Sequence, residues 1–139
     1  MTPPPPMDHI PVLDPAALAR AEAALANLSD RYLEWAEADL IRLEANLQDI
    51  FDRPKDRPEL LERLFGIAHD MKGQGGTFGY PLVSHLGNRL CRLVEATSTP
   101  SPEELERISR LVGAMGTVVR NRLAGDGGDE GRRLLAEEA

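Results

Sequence analysis

Apolar residues recur along most of this chain at alternating spacings of three and four, the period of an amphipathic helix, and nowhere at the spacing of two that marks a strand. Asp14 followed by Pro15 reads as a helix cap and first helical residue, and Ala16 to Ala26 is an alanine-rich, strongly helix-favouring stretch. Ser29 can cap a second helix whose stripe is Leu33, Ala36, Leu40, Leu43, Leu47 and Ile50, and the pattern leaves open whether the two helices fuse. Pro54 and Pro58 bracket a turn, after which a third helix should run to about Gly79 with Leu60, Leu61, Leu64, Ala68, Met71 and Phe78 inward. Tyr80 and Pro81 restart the chain. Leu82, Val83, Leu86, Leu90, Leu93 and Val94 then give a fourth helix its core face, and Thr97 to Pro100 ends it. Ser101, Pro102 and Glu104 form a capping-box start for a fifth helix, with the stripe Leu105, Ile108, Val112, Met115, Val119 and Leu123 and a stop at Gly125.

Short connections between long amphipathic helices favour antiparallel neighbours, so the predicted fold is all-α: an up-and-down four-helix bundle with an extra N-terminal helix, over residues 14–125. Residues 1–13, with prolines at 3, 4, 5 and 6, read as a flexible proline-rich arm. Residues 126–139 read as a flexible C-terminal tail with room for a short helix. A length of 139 residues suits one core, and if its fourth helix comes from the same chain the bundle should be a monomer, while the periodicity is equally compatible with a two-helix swap or dimer.

Charge narrows the partners. A net charge of −7, with no block of Lys and Arg, argues against nucleic acid, because counterion release needs clustered cations. No segment reads as a membrane span or secretory signal, and the single cysteine, Cys91, cannot form an internal disulfide, so a cytoplasmic setting is expected.

The third helix carries the candidate chemistry. With His69 at zero on a 100° wheel, Glu62, Phe65, Gly66, Lys72, Gly73 and Gly76 fall within about 60° of it, while Leu60, Leu64, Ile67, Met71 and Phe78 cluster on the far side. His69 should therefore face water. Glycines at 73, 75 and 76 should together cost about 2.5 kcal/mol relative to alanine, so stability alone does not favour them. Gly73 and Gly76 lie on the His69 face, where a bare backbone lets another protein approach the imidazole, whereas Gly75 lies nearer the core and suits tight helix packing. An exposed imidazole is mostly neutral at pH 7, which leaves one ring nitrogen free to attack phosphorus. Lys72, one turn on, can set its ammonium beside phosphoryl oxygens.

The run His69-Asp70-Met71-Lys72-Gly73, with Gly79 ten positions after the histidine and Leu86 and Leu90 on the next helix, resembles the histidine-containing phosphotransfer (HPt) domain. The resemblance is strong over about Leu60 to Ala96 and rests on helix count elsewhere. It implies that His69 accepts the phosphoryl group, Lys72 steadies it and Gly73 keeps the approach open. It also implies a partner-facing surface of Glu62, Phe65, Gly66, Gln74 and Gly76 on the third helix and Gly87, Asn88 and Cys91 on the fourth. Gln74 stands where such domains often carry a small hydroxyl residue, and Cys91 where an acidic or amide residue is frequent. The implied partners are receiver domains of response regulators or hybrid histidine kinases, and the Mg²⁺ ion serving the transfer belongs to the receiver. No cofactor or metal of the chain's own is implied.

Two other readings use the same residues. His69-Asp70 is the central dipeptide of HD-type metal phosphohydrolases, but the only upstream histidine, His9, lies in the proline-rich arm, and Asp70 sits 100° from His69. A helical adaptor that binds signalling partners without carrying phosphate would use an exposed patch around Phe65. His85 reads as a solvated surface residue, Trp35 as a core-edge ring, and Gly125 to Gly131 as a flexible turn without the ligands of a phosphate or calcium loop. No nucleotide loop or kinase signature is present, so a stoichiometric carrier without kinase activity of its own is expected.

Overall fold

The structure is a computed structural model, and it describes residues 14–138; the proline-rich arm lies outside the described residues. Helix α1 spans Pro15–Asp52, α2 Arg57–Gly75, α3 Pro81–Ala96, α4 Pro102–Arg120 and α5 Gly128–Glu137, with a single 3₁₀ turn at Pro54–Asp56 and no strand among the described residues. Each of the first four packs on its sequence neighbour, and α1 closes the ring against α4. The core needs no helix from another molecule.

The predicted extra N-terminal helix and the first bundle helix are one. Asp14 caps α1 by accepting from the Ala17 amide at 2.6 Å, and the helix runs on through Ser29, which sits half-buried inside it and caps nothing. The stripes predicted for the four bundle helices form the core: Leu40, Leu43, Ile50, Leu64, Ala68, Val83, Leu86, Leu90, Ile108 and Met115 are wholly buried. Leu47, Phe78, Leu93 and Leu123 pack at its edge. The capping box at Ser101 and Glu104 is present in both directions, at 3.0 and 3.1 Å. Between α1 and α2, the buried Asn46 amide donates to the Leu60 carbonyl at 2.8 Å, which fixes the axial position of α2 against α1.

Three boundaries differ from the sequence pattern. Helix α2 ends at Gly75 and not near Gly79, because the Tyr80 amide turns back to the Gly75 carbonyl at 2.8 Å around Gly79, whose φ of 90° is left-handed. Helix α4 ends at Arg120, short of Gly125, because the Leu123 amide closes on the Val118 carbonyl at 2.9 Å around Arg122 at φ 52°. Residues 126–138 are also not a free tail. Leu134 of α5 is buried in the core, and Arg89 on α3 donates to the Leu135 carbonyl at 2.8 Å. A Cβ on Gly131 would lie 1.9 Å from the Asp126 carbonyl oxygen, so glycine there lets α5 fold back on its own entry turn.

An aromatic cluster seals the end of the bundle where α2 turns into α3. Tyr32 lies 5.2 Å from Phe78 and 5.4 Å from Tyr80, and Trp35 stands edge-on to Phe78 at 6.5 Å. Burial pushes the Tyr32 hydroxyl up to about 12, which keeps it protonated.

Candidate functional site

Helix α2 is held on one side by α1 and on the other by α3, and its remaining face is open. Leu60, Leu61, Leu64, Ala68 and Met71 take the buried positions, and that rotation leaves His69 exposed, as its place opposite the leucines requires. The imidazole stacks on Phe65 one turn earlier, at 5.7 Å between ring centroids and 27° between planes. Phe65 is itself half-buried against the core, so it gives the imidazole a fixed platform and leaves its edge to solvent. Among the described residues no group hydrogen-bonds to either ring nitrogen of His69, so both remain open to an incoming ligand.

Lys72 is half-buried, and its stem lies along α3, where a Cβ on Gly87 would come within 3.1 Å of the lysine Cβ and 3.3 Å of the Ala68 carbonyl. No carboxylate pairs with its ammonium among the described residues, so the charge is free to meet an anion beside His69. Around the imidazole the backbone is bare. A Cβ on Gly66 or on Gly73 would meet nothing within 4 Å, and one on Gly76 only the Ser84 hydroxyl at 3.7 Å. Gly75 is different: its Cβ would lie 2.8 Å from both Ser84 Oγ and the Tyr80 carbonyl oxygen. Glycine is needed there for α2 to meet α3, and elsewhere on this face it serves no internal contact.

Glu62, Gly66, Gln74 and Gly76 are exposed, and Phe65 and Asn88 half-buried. Gly87 and Cys91 correct the sequence reading. Both are buried between α2 and α3: Gly87 is the point of closest approach, and the Cys91 thiol donates to the Phe65 carbonyl at 3.9 Å. Burial pushes that thiol up, so it stays protonated and presents nothing to a partner.

Ser84 was missed. Its hydroxyl donates to the Lys72 carbonyl at 2.6 Å and accepts from the Gly76 amide at 2.9 Å, pinning the last turn of α2 to the first turn of α3. The signal was available, because Ser84, Gly87 and Cys91 recur at spacings of three and four on one side of α3, a face of small residues that admits a close neighbour. Next to the Phe65 platform, a groove of about 380 Å³ lies between the start of α2 and the end of α3, floored by Leu61, Phe65 and Val94 and rimmed by Glu62 and Glu95.

For the metal-hydrolase reading, His9 is outside the described residues, and among those described no three His, Cys, Asp or Glu side chains gather where they could hold an ion. No described helix is long and apolar enough to cross a membrane. No curated protein and no solved structure matches the chain. The family model for the Hpt domain, however, matches residues 16–122, which takes in α1 to α4 and the whole His69 face. With an all-helical bundle around it, the match identifies the chain as a member of the Hpt domain family, whose work is phosphotransfer in two-component signalling.

Proposed function

We propose that His69 accepts a phosphoryl group from, and returns it to, the phosphorylated aspartate of receiver domains, so that the chain is a stoichiometric relay intermediate. The observation that carries this reading is an exposed imidazole stacked on Phe65 with neither nitrogen hydrogen-bonded among the described residues, Lys72 on one side and open backbone at Gly66 and Gly73 on the other. The unprotonated ring nitrogen attacks phosphorus, the bond from phosphorus to the aspartyl oxygen breaks, and its electron pair returns to the receiver's carboxylate. The ring's own proton stays on the other nitrogen. Lys72 offsets charge on the moving phosphoryl oxygens, while Phe65 keeps the ring from turning away. The Mg²⁺ ion that assists the step belongs to the receiver, and the groove beside Phe65, with Glu62, Gln74, Gly76 and Asn88, offers the contact surface. A cytoplasmic setting suits a chain whose one cysteine is a buried, protonated thiol.

The test is transfer from a panel of receivers carrying labelled aspartyl phosphate. At least one should lose its label to this chain within minutes, while labelled ATP alone should leave the chain unlabelled. Efficient labelling by ATP, or binding of receivers with no transfer from any of them, would favour an autonomous kinase or an adaptor instead.

A further inference from the structure

Among the described residues, no other helix covers the first part of α1. No residue from Pro15 to Arg31 is buried, a length of about 26 Å standing beyond the aromatic seal of the bundle. Leu18, Leu25 and Leu28 on it are 47%, 66% and 48% exposed. Leu18, Ala21, Leu25 and Leu28 alternate by three and four, the a and d spacing of a coiled coil. At 100° per residue they lie on the same half of α1 as Ala36, Leu40 and Leu43 of the core, so the stripe looks into the space above the end of the bundle. A parallel second copy would bring its own bundle to the same end as this one, whereas an antiparallel copy carries its bundle to the far end of the overhang.

We propose that the occupant is a second copy of this chain, the two α1 overhangs packing antiparallel about a two-fold axis. In that register Leu18 of one copy faces Leu28 of the other and Ala21 faces Leu25, so the outer layers pair two leucines and the inner layers fit a large side chain against a small one. Two overhangs of this length cover on the order of 1,000 Å² in total, the lower bound for a specific interface, which makes the dimer reversible and concentration-dependent. The chain's own residues 1–13 offer Met1, Met7, Ile10, Val12 and Leu13, but the five prolines among them interrupt any helix long enough to fill the layers. His69, on α2, stays outside the pairing.

Sedimentation equilibrium of the full chain, from low micromolar to near-millimolar concentration, tests this. The mass should rise from 15.3 kDa toward twice that value. Leu25→Glu, at an exposed position, should hold at 15.3 kDa across the range, with the circular dichroism of the dilute wild-type chain. Glu22 meets its own copy near the axis in this register, so Glu22→Gln should move the midpoint to severalfold lower concentration. A wild-type mass that stays at 15.3 kDa, or a Leu25→Glu chain that associates as the wild type does, overturns the proposal, and an unmoved midpoint for Glu22→Gln overturns the antiparallel register.

Discussion

Leucine at Gly73, or at Gly66, should leave the bundle folded and slow transfer from a phosphorylated receiver by roughly tenfold to a hundredfold, the loss expected when reacting atoms are held about 1 Å too far apart. These two glycines bracket His69, and a side chain at either has open space to enter. Nothing among the described residues therefore explains glycine there, in a helix where each costs roughly 0.8–1 kcal/mol relative to alanine. The proposed relay supplies a reason: a second protein whose backbone would have to pass close to the imidazole. Stopped-flow or gel-based transfer assays on the two leucine variants, with circular dichroism as the folding control, measure the effect. Wild-type rates in both would show that close approach is not the reason for the bare backbone.

Alanine at Gly75 and alanine at Gly73 should act in opposite directions, although the positions are two residues apart. At Gly73 the added methyl meets nothing, so the variant gains roughly 0.8–1 kcal/mol of stability from helix propensity. At Gly75 the methyl would sit 2.8 Å from the Tyr80 carbonyl oxygen, a backbone atom at the start of α3 that cannot swing aside. Forcing α2 from α3 there should cost about 1–3 kcal/mol, as overpacking does in other cores. Urea unfolding midpoints read both changes. The same sign for the two would mean that the α2–α3 junction is looser than its contacts indicate.

The four-helix plan was legible because each core stripe keeps its helical spacing for several turns, and the exposure of His69 followed from its place opposite Leu60, Leu64 and Met71. Caps at Asp14 and Ser101 were equally plain. What the pattern hid has particular causes. Ser29 looks like a cap, but a serine inside a helix costs little, and the alanine-rich flanks carry α1 straight through it. Helix α5 is short and opens on a Gly-Asp run that reads as a turn, and only the docking of Leu134 into the core gives it a reason to form. Of the glycines near His69, Gly75 is the packing requirement that its place nearer the core suggests, whereas Gly76 lies in the turn after the helix, and the unexplained expense falls on Gly66 and Gly73. Gly87 and Cys91 were assigned to the rim by resemblance, whereas the face of small residues they share with Ser84 puts them against α2.

The central claim is that the phosphoryl group resides on His69 and nowhere else in the chain. Site mapping by mass spectrometry, after transfer from a phosphorylated receiver and at alkaline pH where phosphohistidine survives, reads this directly. The wild-type chain should carry one phosphate on the peptide containing His69, and His69→Gln, at an exposed position that leaves the fold intact, should carry none. A phosphate on any other residue, or undiminished labelling of His69→Gln, would contradict the account.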